Sequence, residues 1–307
     1  TQLTFSAIGS DGSSDAVQIP ILIQPLSTRE VQSTSGEFTG NTNLNIPMPQ
    51  DLLMDNSQVI LRISNSPASS LLDGLEFLTG YPYGCVEQTM SRAMPNAVLG
   101  RASYQLGLGG EEFNKQLDPL IQASIQKLYG FQHSDGGWGW WLDDKSDTYQ
   151  TAWVLHGLAT IQSAGYYIEP KVMEHAAEYL IGNLYIMDAR TKAYALYSMA
   201  LAGKGNLIET QSLADASLRE LDPFSQAALA LALHHLGDTT RSEVIINVLE
   251  SSAVLNESFA YWPQDATDGV YHRKTMASSL RTTAFVLSAI LTVDGKDNLF
   301  VEPAANY

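Results

Sequence analysis

Residues 81–88 read Tyr-Pro-Tyr-Gly-Cys-Val-Glu-Gln, and Cys85 within them is the only cysteine of the 307 residues. A thiol three residues ahead of Gln88 can attack that side chain's amide carbonyl. Loss of ammonia would leave an internal Cys85–Gln88 thioester, an electrophile stored inside the fold. Gly84 and the tyrosines flanking Pro82 predict a tight, aromatic-walled turn leading directly into a helix. The bare C-x-x-Q spacing also fits an inert, buried cysteine at a helix start.

Working outward, the period of the hydrophobic pattern changes along the chain. Residues 3–9, 16–24, 37–40, 43–49 and 58–64 are short, rich in β-branched residues and separated by Gly, Ser, Asp and Asn clusters. They read as strands of a β-sandwich fragment over 1–64. Pro20 and Pro25 bracket the second run and make it an edge strand. From Pro67 on, helical spacing takes over. Leu71, Leu72, Leu75 and Leu78 form one apolar stripe. A helix is then expected from Cys85 to Leu106, bent or interrupted by Pro95, with further helices near 112–129, 147–164, 171–184, 189–203, 209–220, 224–236, 240–250 and 276–292.

Four of these segments repeat loosely: TAWVLHGLA (151–159), KAYALYSMALA (192–202), QAALALALHHL (226–236) and TAFVLSAIL (283–291). Small and large apolar residues alternate on successive hairpins, which suits a mainly α fold, an α/α toroid of antiparallel helical hairpins over 65–307. A plain helical bundle is the alternative.

Composition limits the partners. Seventeen basic against 33 acidic side chains give a formal net charge of −16, so nucleic acid and anionic membrane surfaces are repelled. A single cysteine excludes an intrachain disulfide. The chain opens on Thr1 without a leader pattern and stops at Tyr307 in a helical run, and so reads as a piece of a longer protein.

The wider string YPYGCVEQTMSRAMPN (81–96) resembles the thioester segment of the α2-macroglobulin and complement superfamily, and looks most like the bacterial macroglobulins. Cys85, Glu87 and Gln88 match the fixed positions of its C-x-E-Q motif and Val86 fills the variable one. The resemblance implies a helical thioester toroid inserted in a CUB-type β-sandwich, with residues 1–64 as macroglobulin/CUB-like strands. It implies a broad-spectrum proteinase inhibitor that captures an attacking proteinase through a surface lysine, one acyl transfer per molecule, with no metal or other cofactor. It further implies neighbouring macroglobulin domains, the periplasm, a lipid anchor at the inner membrane, and a penicillin-binding cell-wall synthase as a candidate partner.

Within that frame Tyr81 and Tyr83 are the local candidates to shield the thioester from water, Tyr81 foremost, although a Tyr-Pro-Tyr turn also has to pack its rings somewhere. Glu87 either assists as the ring closes or simply answers the macrodipole of the first helical turn. Hydroxyl-labelling members of the superfamily use a histidine on a loop downstream of the cysteine. The matching segment here, LYIMDARTKAY (184–194), contains none, so direct attack by amines is expected. His133 and His272 lie in loops; His156, His175, His234 and His235 fall in expected helices.

Two other features remain. FQHSDGGWGWW (131–141) resembles the Q-x-x-D-G-x-W pattern of α/α barrels and reads as a turn stitching hairpins together. The competing class is an α/α-barrel enzyme of the terpene cyclase or prenyltransferase type, for which Asp143 and Asp144 come near an Asp-rich motif but equally cap the next helix. A cysteine hydrolase leaves Gln88 unexplained and offers no base.

Overall fold

The computed structural model describes residues 1–22, 30–32, 38, 40–46, 48–49, 52, 57–61, 63, 84–106, 110–256, 259–264 and 277–307. The chain divides into two compact units, Thr1–Arg62 and Ile63–Tyr307.

In the first unit β1 (Gln2–Ile8) pairs antiparallel with β2 (Ser14–Pro20), Phe5 opposite Val17, and Gly12 at φ +83° closes the turn. Pro20 sits at the end of this ribbon, opposite Gln2. The expected strands at 43–49 and 58–64 are not strands among the described residues there. Alternation makes a segment fit for a sheet, but a strand forms only against a neighbour. Ile46, Val59, Ile60 and Leu61 are exposed instead.

The second unit is helical. Among the described residues its elements are α1 (Val86–Leu106), α2 (Gly110–Phe131), α3 (Thr148–Ser163), α4 (Pro170–Asn183), α5 (Ala189–Leu201), α6 (Leu207–Ser217), α7 (Pro223–His235), α8 (Thr239–Ser251), a short ribbon of β3 (Val254–Leu255) and β4 (Ala260–Tyr261), α9 (Ser279–Val293) and α10 (Val301–Ala305). Pro95 does not interrupt α1, which runs through it. The stripe at 71–78 lies outside the described residues.

The order of packing makes an inner and an outer set. α1 packs on α3, α3 on α5, α5 on α7 and α7 on α9; the other helices lean on these from one side, α2 on α1, α4 on α3, α6 on α5 and α7, and α8 on α7 and α9. This is the α/α toroid, and the four repeated segments are its inner helices α3, α5, α7 and α9. α7 shows why they repeat. Every residue from Phe224 to Leu233 is buried, and its alanines let neighbours approach closely while its leucines fill the space between.

The inner helices start at one end of the unit. Asp147, Asp188, Asp222 and Ser278 cap α3, α5, α7 and α9, each side chain accepting a backbone N–H at 2.7–3.1 Å. Arg190 in the first turn of α5 pairs with Asp222 at 3.3 Å. Arg281 in the first turn of α9 donates to the Tyr149 hydroxyl of α3 at 2.9 Å and stacks over Phe224 of α7. Below lies an aromatic cluster from the inner set: Tyr194 and Tyr197 of α5, His156 of α3 and Phe285 of α9.

The FQHSDGGWGWW segment joins three helices. Gln132 Nε2 donates to the carbonyls of Gly136 (3.0 Å) and Val172 (2.9 Å), tying the loop to α4. Asp135 accepts from the Gly137 N–H and the Ser146 hydroxyl. Trp138 is fully buried; its indole N–H donates to Leu128 O of α2 and its backbone N–H to Thr151 Oγ1 of α3. Gly136 sits at φ +89°, and a Cβ there would run into the His175 carbonyl. Trp262 repeats the device: its indole N–H donates to Leu249 O of α8 and its backbone N–H to Thr283 Oγ1 of α9.

Candidate functional site

Cys85 stands at the N-cap position of α1 and Gln88 at the third helical residue. That is the spacing of a capping box, in which the cap side chain and the third residue's side chain each reach the other's backbone N–H. Gln88 Oε1 accepts from the Cys85 N–H at 3.4 Å, while the Gln88 N–H lies beside the Cys85 sulfur. The helix start therefore folds the carboxamide back onto the residue that bears the thiol. C-x-x-Q works here for the same reason that S-x-x-E begins ordinary helices.

The turn is held from several sides. The Val86 N–H donates to the Trp140 carbonyl at 3.0 Å, so the loop before α3 pins the start of α1. The Cys85 carbonyl takes both the backbone N–H (2.9 Å) and the hydroxyl (2.7 Å) of Thr89. Val86 and Met90 are fully buried on the core side. Gly157 of α3 permits this contact, because a Cβ there would overlap the Met90 side chain. A Cβ at Gly84 would meet the Lys127 ammonium, which places one cation against the peptide preceding Cys85.

Cys85 is 2% exposed and unoxidised. Burial pushes its thiol pKa above the ordinary value; the Gln88 N–H opposes this and the Glu87 charge adds to it. The resting group is thus a neutral thiol. Glu87 uses one oxygen to accept from the Ser91 hydroxyl at 2.6 Å, one turn further along α1, and the structure gives it no bond to Gln88. Tyr81 and Tyr83 lie outside the described residues, as does His272.

The described histidines have other surroundings. His133 Nδ1 lies 2.8 Å from Ser146 Oγ, inside the loop, and His156 Nδ1 lies 2.9 Å from the Tyr194 hydroxyl. His175 is on α4, and His234 and His235 are on α7. The connection from α4 to α5 is short, a single 3₁₀ turn over Leu184–Ile186 running to the Asp188 cap. Asp144 accepts from the Trp141 N–H at 3.0 Å and so serves the turn itself. Among the described residues no three His, Cys, Asp or Glu side chains converge as metal ligands, and no helix is long and apolar enough to cross a membrane.

The arrangement defines a thioester-domain type of toroid: a Cys–Gln pair clasped at the start of an inner helix. Residues 58–185 match the family model described as the A-macroglobulin TED domain. A curated α2-macroglobulin of Thermotoga maritima is 29% identical over 247 residues, which is 75% of this chain and 15% of the relative. The native conformation of Escherichia coli α2-macroglobulin shares the fold, with a TM-score of 0.61 at 22% identity over 76% of this chain and 15% of that one. So does Salmonella α2-macroglobulin reacted with methylamine, with a TM-score of 0.57 at 23% identity over 72% of this chain and 14% of that one. The family model and these relatives support a fragment of a bacterial α2-macroglobulin centred on its thioester domain, and the chain spans about 15% of the length of the Thermotoga relative.

Sequence reasoning overlooked Trp262 and Gln150. Trp262 lacks the Asp-Gly lead that marks Trp138. Gln150, in the first turn of α3, reads as a solvent-facing amide, yet it is fully buried.

Proposed function

We propose that Cys85 and Gln88 form an internal thioester, and that the protein carrying this chain uses it to trap attacking proteinases covalently. The observation that carries the reading is the capping-box clasp, which holds the half-buried Gln88 carboxamide over the backbone of the buried Cys85. In forming the bond, the Cys85 sulfur adds to the Gln88 acyl carbon and ammonia leaves. In using it, an amine adds to the same carbon, the carbon–sulfur bond breaks, and Cys85 departs with the proton as a thiol. The product is an amide between Gln88 and a lysine of the target. The reaction is a single event, because the thioester is not regenerated.

The Salmonella relative reacted with methylamine supports an amine-reactive centre in this fold. Tyr81 and Tyr83 remain the proposed shields, and neighbouring macroglobulin domains are proposed to complete the cover. A periplasmic location, lipid tethering at the inner membrane and a penicillin-binding partner are proposals of the same kind, resting on the resemblance to bacterial macroglobulins.

The test is an intact mass with and without methylamine, beside Cys85→Ala. A chain lighter by one ammonia, which gains methylamine as a free thiol appears, supports the reading. The full ammonia mass in both the chain and the longer protein would leave the toroid as a binding module.

A further inference from the structure

An α-helix starts with N–H groups that its own turns cannot satisfy, and at α1 they are shared out. The Glu87 and Gln88 N–H groups lie beside the Cys85 sulfur, which occupies the cap. The Val86 N–H points elsewhere and donates to the Trp140 carbonyl at 3.0 Å. That carbonyl and the Trp141 N–H belong to one rigid peptide unit. The Trp141 N–H in turn donates to Asp144 Oδ2 at 3.0 Å. A carboxylate in the loop before α3 is thus one peptide away from the first turn of α1.

Asp144 is well placed to hold that peptide. Its own N–H donates back to the Trp141 carbonyl at 3.2 Å, which closes a tight turn over 141–144. Its Cβ stands against Gly139, where any side chain would run into it and into the Lys145 carbonyl. The cap of α3 is Asp147, so Asp144 is not committed to that helix. Asp143, its neighbour, accepts no hydrogen bond among the described residues. A peptide whose N–H is bound by a carboxylate has a more polarised carbonyl, because hydrogen bonds in series strengthen one another. Asp144 therefore sharpens the acceptor on which α1 begins.

We propose that Asp144 is a positioning residue for the Cys85–Gln88 pair, acting through the Trp140–Trp141 peptide on the first turn of α1. This rests on the thioester reading above and adds what keeps its turn in register. α3, α5 and α7 take an aspartate directly at the cap, whereas α1 gives that position to sulfur. Asp144 serves α1 from one peptide away and leaves the cap to the thiol. While the relay holds, the Gln88 side chain stays folded over Cys85. Without it the turn frays and water reaches the Gln88 acyl carbon. Water then adds there, the carbon–sulfur bond breaks, and the products are a carboxylic acid on that side chain and the Cys85 thiol.

The experiment compares the intact protein with Asp144→Ala, Asp144→Asn and Asp143→Ala, and with Asp144→Gly should Asp144→Ala fail to fold. Intact mass, melting temperature, hydrogen exchange of the Val86 amide and thiol release without added nucleophile are read together. Asp144→Ala is expected to melt as the parent does, to exchange the Val86 amide about tenfold faster and to release thiol about tenfold faster. Asp144→Asn recovers most of the difference, since its side-chain oxygen still accepts from the Trp141 N–H, and Asp143→Ala matches the parent. Exchange and release within roughly twofold of the parent in Asp144→Ala overturn the proposal while leaving the thioester intact. Faster exchange with an unchanged release rate overturns it too, as does an Asp143→Ala variant as fast as Asp144→Ala. A parent without the ammonia deficit overturns both readings together, and its mass alone tells that case apart.

Discussion

Trp138 and Trp262 are held in the same way. Each indole N–H donates to a carbonyl at the end of an outer helix, Leu128 or Leu249. Each backbone N–H donates to a threonine hydroxyl in the first turns of the next inner helix, Thr151 or Thr283. Two tryptophans thus fasten outer to inner helices at opposite ends of the described toroid sequence. They differ in what hangs on them, since the Trp138 loop continues to Trp140, whose carbonyl receives the Val86 N–H.

Removing the indole N–H separates these roles. Trp262→Phe leaves the Leu249 carbonyl unsatisfied and lowers stability by about 1–3 kcal/mol, with methylamine reactivity unchanged. Trp138→Phe carries a similar cost and also loosens the start of α1, so the proposed thioester is expected to hydrolyse faster. Chemical denaturation and the time course of thiol release check the pair.

Gly157→Ala pits helix propensity against packing. Alanine gains about 1 kcal/mol in a helix interior, but its methyl group overlaps Met90, and overpacking of this kind costs about 1–3 kcal/mol. The single variant is expected to be less stable than the parent, and adding Met90→Ala to lose less than the two effects summed. A double-mutant cycle by urea denaturation measures the coupling.

His156 makes the toroid acid-sensitive. Burial holds its pKa at about 4, below the ordinary 6.5. The folded state therefore disfavours the proton that the unfolded chain accepts. Its contribution is intact above pH 6.5 and is lost as pH falls through 4, with stability declining across that window. His156→Phe removes this part of the decline, and melting temperatures from neutral to acid pH show it.

Cys85 behaves in the opposite direction. Its thiol pKa is raised, so its protonated form is favoured by folding, an effect complete below the ordinary thiol pKa of 9.0 and lost as pH climbs past the raised value. The thiol released by methylamine should thus alkylate with iodoacetamide more slowly than free cysteine at neutral pH, and approach it only in denaturant. Equal rates in the folded protein would contradict the buried placement.

Much of this was legible because helices are specified locally. Asp147, Asp188 and Asp222 announce helix starts that the structure reproduces within a residue or two, and the small-large alternation of 226–236 becomes the fully buried α7. The helix expected from Cys85 to Leu106 is there, running through Pro95 without interruption, because packing on α2 and α3 outweighs the hydrogen bond a proline in the third turn forgoes. The segments at 43–49 and 58–64 misled, since a strand's state depends on a partner that alternation cannot supply. The Cys85–Gln88 pair was readable from the wider 81–96 string, since the bare spacing also fits an inert cysteine; the burial of Gln150 was not, because it depends on tertiary packing.

The cap of α1 has one further consequence. α3, α5 and α7 begin on aspartates, whose charge cancels the positive end of the helix, whereas α1 begins on an uncharged sulfur. Glu87, in the first turn of α1, supplies the negative charge that this cap withholds. Burial first, and that carboxylate beside it, favour the neutral form of Cys85, so the proposed thioester would release its sulfur as a thiol rather than as a stabilised thiolate.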